Sequence, residues 1–452
     1  MSLEKADLSA GVVAEANTEW MSADIHSVFA LAAARRDDAG LFRKTFMTSS
    51  SVSSSGPLAG LRVLDLTSVL MGPFATLLLG DMGAEIIKVE PPAGDSTRKL
   101  GPMRNAGMGA LFLHCNRNKR SIVLDLKKAE GRDALLRLAA TVDALVHNVR
   151  PQAMRRLRLS YEDVAAVRPD IVYAGLHGFD QRGPYAARPA YDDLIQGAAA
   201  IPALSVLAGG DAPRYAPGAL ADRIVGIAAA NVVLSALFHR QRTGEGQAIE
   251  VPMFETMVQL TLGDHMGGRT FEPPIGPTGY SRILNPHRRP YRTLDGYICV
   301  LFYTDRQWQS FFTLTGCPER FFEHFDTIGR RMERITELYA MVADAMAKRS
   351  TAEWLEVLAE ADIPHMPMHT VDSLLEDPHL DACGFFVEQQ HPSEGAIRTM
   401  RVPARWSKTQ PQQRSFAPRL GEHGDDVLRE AGFSAAELAR LRDCGALGRV
   451  QD

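Results

Sequence analysis

Cysteine is scarce in this chain of 452 residues, and its five cysteines lie far apart, with no Cys-x-x-Cys pair. An odd number of distant cysteines argues against a disulfide framework or a zinc site and favours a reducing cytoplasm as the location. Charge of one sign is also lacking: the net charge is −4, so no overall basic field favours nucleic acid as a partner. No apolar run indicates a membrane span, and the N-terminus lacks the order of a secretory signal.

The sequence also lacks the short motifs of the common nucleotide and metal enzymes. It has no G-x-G-x-x-G after its first predicted strand, no G-x-x-x-x-G-K-[ST], no H-E-x-x-H and no G-x-S-x-G. His365 and His369 have the spacing of metal ligands on a helix, but Pro367 between them argues against a shared helix face. We therefore predict no metal site and no permanently bound cofactor.

Apolar strands alternate with helices from Leu61 onward. The segments "LRVLDLTSV", "GPFATLLLGDMGA" and "EIIKVEPP" predict a strand, a helix and a second strand within about thirty residues. The alternation continues through "SIVLDL", "AEGRDALLRLAATV", "DALVHNV", "DIVYAGLHGF", "DRIVGIAAANVVLSALFHRQ" and "QAIEVPMF". This pattern is typical of an α/β fold with a mostly parallel sheet covered on both faces, in which ligands bind beyond the carboxyl ends of the strands.

The two ends of the chain and one internal region depart from this pattern. Residues 1–46 are predicted to be helical and precede the linker "TSSSVSSSG", so residues 1–56 form an extension to a core that starts near Pro57. Residues 281–385 contain "GYICVLFY", "RQWQSFFTLTG" and "TAEWLEVLAEAD", which predict a smaller α+β domain. The stretch that begins at Leu420 predicts two C-terminal helices.

One carboxylate, Asp222, stands among small and apolar residues in "GALADRIVG". A buried ionised carboxylate is costly unless it is paired, hydrogen-bonded or used in chemistry. The purely structural interpretation is that Asp222 is an acidic residue in the first turn of a helix. Its interaction with the helix dipole would then stabilise the helix by about 0.3–1 kcal/mol. The adjacent Arg223 is a partner of this carboxylate or a surface base, and we assign it no role.

Several segments resemble the class III CoA-transferases, a family that includes formyl-CoA transferase, the carnitine CoA-transferases and the α-methylacyl-CoA racemases. They are "GPLAGLRVLDLTSVLMGPFATLLLGDMGAEIIKVEPP", "NKRSIVLDLK", "VHNVRPQAMRRL", "GFDQRGPYAARPAYDDLIQG", "RTGEGQAIEVPMFE", "PYRTLDGYICV" and "LGEHGDDVL". The resemblance covers residues 57–452. It implies a Rossmann-like large CoA-binding domain, built from residues 57–280 and 386–452, with the small domain of residues 281–385 between them. It also implies a homodimer of two interlaced rings.

The resemblance assigns chemistry to Asp222, which matches the family's nucleophile, some thirty residues after the "AYDDLIQG" motif. The implied reaction moves CoA between two carboxylic acids through covalent aspartyl anhydride and aspartyl thioester intermediates. An acyl-CoA and a small carboxylic acid are therefore the expected substrates, in a cytoplasmic enzyme with no nucleic-acid or membrane partner.

An acyl-CoA racemase of the same fold, which removes and returns an α-proton, is the alternative activity. The racemases of the family carry a His-Asp pair where this chain has Tyr191 and Asp192. A tyrosine, with an ordinary pKa of about 10, is a poor substitute for an imidazole that titrates near neutrality. The resemblance implies that Tyr191 helps to line the thioester end of CoA. We interpret His177, in "GLHGF", as a strand histidine, with a catalytic base as the alternative.

The resemblance also implies a CoA site after two of the predicted strands. Leu124 would flank the adenine, Lys127 and Arg156 would bind phosphates, and Asn148, Val149 and Arg150 would line the nucleotide. Lysine acts on a phosphate as a point charge, and arginine can bind two phosphate oxygens at once. The alternative for Lys127 and Arg156 is that they are solvated surface charges, as most lysines and arginines are.

Three positions depart from formyl-CoA transferase. Ser68, Leu70 and Pro189 stand where that enzyme carries a histidine, a glutamine and a lysine. Oxalate is therefore a poor expectation for the acceptor acid, and neither acid can be named from the residues.

Overall fold

Six parallel strands form the central sheet of the protein, which a computed structural model describes over residues 56–448. The strands are β1 (Arg62–Leu66), β2 (Glu85–Glu90), β3 (Lys119–Val123), β4 (Ala144–His147), β5 (Val172–His177) and β6 (Gln247–Pro252). They lie in the order β3-β2-β1-β4-β5-β6, and every neighbouring pair is parallel. The predicted α/β fold is confirmed. The predicted extension of residues 1–56 falls almost entirely outside the described residues.

Helices connect these strands and cover both faces of the sheet. They are α1 (Met71–Asp81), α2 (Ala110–Cys115), α3 (Ala129–Ala139), α4 (Pro151–Arg156), α5 (Tyr161–Ala165), α6 (Asp192–Ala198), α7 (Ile201–Leu207), α8 (Leu220–Thr243) and α9 (Met253–His265). In α1, Pro73 stands in the first turn, where no intrahelical partner for its missing N–H exists. The chain leaves that helix through Gly83, whose φ of 110° suits a residue without a Cβ.

The side chains of each strand alternate between two hydrophobic cores, one on each face of the sheet. In β5, Val172, Ala174 and Leu176 pack in the core that contains α1 and α8. Tyr173 belongs to the opposite core, which contains α3 and the C-terminal helices. This alternation follows from the two-residue period of a strand, and it decides on which face each residue at the strand ends projects.

Helix α8 is long and apolar enough to cross a membrane by length and composition alone, although the sequence showed no uninterrupted apolar run. Here one face of α8 packs against α1, as at Gly226, where a Cβ would lie 2.9 Å from the carbonyl oxygen of Met71. The guanidinium of Arg223 lies over the ring of Phe74, 4.4 Å from its centroid. The sequence assigned Arg223 no role. In the structure its guanidinium packs on Phe74 and so helps to join α8 to α1.

Residues 281–385 contain a small antiparallel sheet and a helical layer, as predicted. The elements are β7 (Tyr291–Arg292), β8 (Tyr297–Val300), β9 (His365–Pro367), α10 (Asp305–Leu314), α11 (Pro318–Arg320), α12 (Ile328–Glu333), α13 (Ile335–Met346), α14 (Thr351–Glu360), α15 (Val371–Leu374) and α16 (Pro378–Ala382). They enclose an aromatic-rich core of their own. His365 lies in a strand and His369 beyond it, so the two histidines share no helix face.

The C-terminal part of the chain begins with the antiparallel hairpin β10 (Phe386–His391) and β11 (Gly395–Met400), followed by α17 (Gly424–Glu430) and α18 (Ala435–Asp443). Both helices pack in the same core as β3. The backbone N–H of His423 donates to the carbonyl oxygen of Ser121, at 2.9 Å. The last described residues therefore lie against β3, at one edge of the sheet, while the exact domain boundaries stay a prediction.

Candidate active site

A cavity of about 250 Å³ opens at the carboxyl edge of the sheet, near the point where β1 and β4 lie side by side. After β1 the chain turns onto one face of the sheet as α1, and after β4 it turns onto the other face as α4. Such a switch of direction leaves a crevice at the strand ends, where ligands of α/β proteins bind. The residues that follow β1, β4 and β5 line this cavity, together with Asp222.

Asp222 is the third residue of α8 and contributes to the cavity wall from the first turn of that helix. Burial, and then the neighbouring Asp192 carboxylate, raise the pKa of Asp222 to about 6, against the opposing charge of Arg223. The carboxylate is therefore mostly ionised at neutral pH but poorly solvated. Both properties suit a nucleophile.

A network missed by sequence reasoning fixes the backbone around Asp222. The N–H of Asp222 donates to Oδ1 of Asp192, the first residue of α6, at 2.9 Å. Nε2 of Gln196 donates to Asp192 Oδ2 at 2.6 Å and to the carbonyl oxygen of Gly218 at 3.2 Å. The N–H of Ala216 donates to Gln196 Oε1 at 2.8 Å. These bonds tie the loop before α8 to α6. The sequence feature that could have indicated this network is the i, i+4 spacing of Asp192 and Gln196, which places the two side chains on one helix face.

A second set of hydrogen bonds joins the ends of β1 and β4 across the cavity floor. The N–H of Ser68 donates to Asn148 Oδ1 at 3.0 Å, and Asn148 Nδ2 donates back to the carbonyl oxygen of Ser68 at 2.8 Å. The next residue, Val69, has a φ of 70°, a left-handed conformation that is strained for a β-branched side chain. Backbone strain of this kind concentrates at functional sites.

Buried ion pairs lie beneath this strained loop. Their members are Lys88 with Asp95, Arg98 with Glu90, and Lys119 with Asp65, at distances of 2.9, 2.7 and 3.0 Å. Asp95 also accepts the N–H of Val69 through Oδ1, at 3.2 Å, and Lys88 Nζ donates to the carbonyl oxygen of Thr67, at 3.0 Å. Burial lowers the pKa of Lys119 to about 8. The loop that lines the cavity is thus held directly by the first of these ion pairs.

Two guanidinium groups line the cavity and face solvent. Arg150 precedes α4, and its side chain forms no hydrogen bond or ion pair within residues 56–448. Arg188 lies over the ring of Tyr185, with 4.0 Å between the guanidinium carbon and the ring centroid. Tyr191, at the N-terminal end of α6, is exposed and lines the same cavity. Cations at the rim of a cavity attract anionic substrates.

The structure brings four of the sequence-predicted site residues together at the cavity: Asp222, Asn148, Arg150 and Tyr191. Lys127 and Arg156 are exposed and lie farther along the same sheet edge, after β3 and within α4. Val149 packs against the core, and Leu124 is buried within it, beside Leu447. The roles of these residues in CoA binding stay predictions.

His177 is the last residue of β5, as the strand interpretation predicted. It also lines the cavity that contains Asp222, a place in the site that the strand interpretation alone did not assign to it. Within the described residues, no group of three or more histidine, cysteine, aspartate or glutamate side chains is arranged to hold a metal ion.

The parallel sheet has a carboxylate in the crevice between β1 and β4, where the connections turn to opposite faces. This arrangement is typical of an α/β enzyme. The comparisons with known proteins name its class: residues 58–424 match the model of CoA-transferase family III. The chain therefore belongs to that family and is an enzyme that transfers CoA between carboxylic acids, as the sequence predicted.

Relatives and a solved structure agree with this assignment. The succinyl-CoA:glutarate CoA-transferase of Mus musculus is 32% identical over 387 residues, which are 84% of this chain and 88% of that protein. The acetyl-CoA:oxalate CoA-transferase of Acetobacter aceti is 33% identical over 395 residues, 84% of this chain and 97% of the relative. The crystal structure of a CaiB/BaiF family protein from Brucella suis superposes with a TM-score of 0.71 at 31% identity, covering 83% of this chain and all of that one.

Proposed function

We propose that this enzyme transfers CoA between dicarboxylic acids through a covalent intermediate on Asp222. The observation that carries the proposal is the position of Asp222, a partly buried carboxylate with a raised pKa in a cavity at the sheet's switch point. The names of the relatives support dicarboxylic acids as acceptors, since they include glutarate and oxalate, with succinyl and acetyl groups as the donors' acyl groups. The two exposed guanidinium groups at the cavity support an anionic substrate.

Each step exchanges one acyl bond for another. A carboxylate oxygen of Asp222 attacks the thioester carbon of the donor acyl-CoA, and the CoA thiolate leaves, which forms a mixed anhydride. The thiolate then attacks the aspartyl carbonyl carbon and releases the donor acid as a carboxylate. The acceptor carboxylate attacks the resulting aspartyl thioester and displaces the thiolate again. Attack of the thiolate on the acceptor acyl carbon yields the new acyl-CoA and frees Asp222.

The environment of Asp222 supports this sequence of steps. A partly buried carboxylate is a better nucleophile than a fully hydrated one, and exclusion of water protects the anhydride from hydrolysis. The bond from the Asp222 N–H to Asp192 and the bonds of Gln196 orient the start of α8 before substrate binds.

The CoA molecule would extend from this cavity along the carboxyl edge of the sheet. Lys127 and Arg156 are exposed, and neither side chain forms a hydrogen bond or ion pair within the described part of the chain, so both are available for phosphates. Arg150, Asn148 and Val149 would follow the nucleotide, with Leu124 behind the adenine. CoA thioesters enter and leave as substrates in this scheme.

A homodimer accounts for apolar side chains that the single chain leaves exposed. Leu207 of α7 and Ile227 and Phe238 of α8 are each more than half exposed, and α6, α7, α8 and α9 are linked by direct contacts. Exposed apolar surface of this kind is typical of an interface. The interlaced-ring arrangement and the cytoplasmic location stay predictions.

Trapping the intermediate tests the mechanism. Hydroxylamine added during turnover should convert an acyl group on Asp222 to a hydroxamate, which peptide mass spectrometry detects at that residue. A donor–acceptor screen of acyl-CoAs against dicarboxylic, hydroxy and monocarboxylic acids would identify the substrates. Turnover without any adduct on Asp222 under repeated trapping would contradict the covalent mechanism.

The racemase alternative has one structural argument in its favour, because His177 lines the same cavity as Asp222. Burial lowers the pKa of His177 to about 4, so the imidazole is a weak base at neutral pH, and Tyr191 occupies the position of the racemases' histidine. We therefore expect no exchange of the α-proton when a 2-methylacyl-CoA is incubated in deuterium oxide. Deuterium at C2 without an acceptor acid would favour the racemase.

A further inference from the structure

His177 projects into the cavity from the face of the sheet opposite to Asp222. In β5, Val172, Ala174 and Leu176 pack in the core that contains α8. Tyr173 packs in the other core. His177 shares the parity of Tyr173, so its ring stands on that second face, beside His147. A substrate bound between the two faces would have Asp222 on one side and His177 on the other.

The ring of His177 is held in place by its neighbours. The centroid of the His147 ring lies 5.6 Å away, edge-on, and Nδ1 of His147 is 3.1 Å from the carbonyl oxygen of Val149, which holds that ring in turn. Gly175 leaves the space that His177 occupies, because a Cβ at Gly175 would lie 2.5 Å from His177 Nε2. The imidazole is therefore positioned before any substrate arrives.

The hydrogen-bonding capacity of His177 is unused. The residue is 8% exposed, and neither of its ring nitrogens has a hydrogen-bond partner among residues 56–448. Both ring nitrogens retain some accessible surface, so a ligand in the cavity can reach them. The apolar side chains of Leu70, Met71 and Met253 also line the cavity, and His177 adds a polar group that no other described residue engages.

We propose that His177 is a specificity-determining residue whose ring N–H donates a hydrogen bond to an oxygen on the transferred acyl group, beyond the reacting carbonyl. The cavity then selects acids that carry a second oxygen function, a carboxyl or hydroxyl group, over plain alkyl acids of the same length. This inference rests on the proposed function and adds His177 as the side chain that recognises the acyl chain. Burial lowers the pKa of His177 to about 4, so the ring is neutral at physiological pH and has one N–H to donate.

Donors matched in chain length test the proposal. Initial rates of transfer to a common acceptor, isotopically labelled glutarate, would be measured by mass spectrometry with succinyl-CoA and butyryl-CoA, and with glutaryl-CoA and pentanoyl-CoA. The wild type should prefer the oxygen-bearing member of each pair in kcat/KM. In His177→Leu this preference should fall by about 10- to 100-fold, the loss expected for one hydrogen bond to a charged group, with the alkyl donors nearly unchanged. His177→Gln retains an N–H donor and should recover part of the preference.

Stability supplies an independent readout. Because His177→Leu removes an unpaired polar group, its thermal midpoint without substrate should equal or exceed that of the wild type, although its selectivity falls. A structural histidine would lower the midpoint instead. The proposal is overturned if the wild type does not discriminate within the pairs, or if His177→Leu slows both members of each pair equally, as a contact to CoA would. A wild type that transfers CoA between no acids overturns the proposed function itself.

Discussion

Replacement of Asp222 by asparagine is expected to make the protein more stable at neutral pH and inactive. The pKa of Asp222 rises from 3.8 to about 6, so the folded protein binds the proton more tightly than the unfolded chain does. The ionised carboxylate therefore destabilises the folded state above pH 6, and this cost disappears as the pH falls through 6 towards 4. A shift of this size corresponds to about 3 kcal/mol at most, which asparagine would recover at pH 7.5 but not at pH 4. Turnover should fall by more than about 10⁴-fold, because a carboxamide is a poor nucleophile.

Chemical denaturation of the wild type and of Asp222→Asn at pH 7.5, 6 and 4 would measure the difference. Asp193→Asn is the matched control, since Asp193 is an exposed carboxylate in the first turn of α6 and should change stability by less than about 1 kcal/mol at every pH. Calorimetry would show that the inactive Asp222→Asn variant still binds CoA. Equal stabilities of the two proteins at pH 7.5, a gain that grows towards pH 4, or more than a tenth of the wild-type turnover would refute the reasoning.

Four further outcomes are expected. Asp192→Asn removes the like charge beside Asp222, so the acid limb of the pH profile of kcat, near pH 6 in the wild type, should move to lower pH; an unmoved limb would show that Asp192 does not tune the nucleophile. Arg156→Ala should weaken CoA binding by about 10- to 150-fold and dephospho-CoA binding less, as measured by calorimetry; unchanged affinity would remove Arg156 from the site. Gly175→Ala should lower both the thermal midpoint and the acyl selectivity, because the new Cβ collides with His177. Light scattering should give twice the mass of the 49.5 kDa chain even at high dilution, and a folded monomer would contradict the homodimer.

The sheet was readable from the sequence because buried parallel strands are short apolar runs between helices with clear ends. All six strands of the sheet fall inside or beside the predicted segments. The errors lie at the boundaries: the segment from Leu61 was predicted as one strand to Val69, but β1 ends at Leu66, because the following residues turn to line the cavity. Similarly, α8 begins two residues before Asp222, so the carboxylate is in the first turn rather than at the first position.

The candidate site was readable only in part. Asp222 stood out because a charge in an apolar stretch needs a reason, and the resemblance supplied one. His177 and the hydrogen bonds of Gln196 did not stand out in the sequence. A residue's neighbours across strands depend on the strand order and on the two-residue alternation of each strand, and neither can be read from one segment alone. The side chain of Leu124 is buried in the core, and its predicted place beside the adenine stays a prediction.

The ion pairs beneath the Val69 loop also constrain how this sequence can change over evolutionary time. Each charge there has an ion-pair partner in a region that water does not reach, and Lys88 also interacts with Asp65 and Glu90. A single replacement therefore leaves an opposite charge without its partner, at a cost of about 3–5 kcal/mol. Replacing both members of a pair with apolar residues of similar volume is far less costly, but this route requires two substitutions together. Descendants of this enzyme should therefore keep or lose Lys88 with Asp95, Arg98 with Glu90, and Lys119 with Asp65 as units. The cavity-lining residues that belong to no ion pair can vary one at a time.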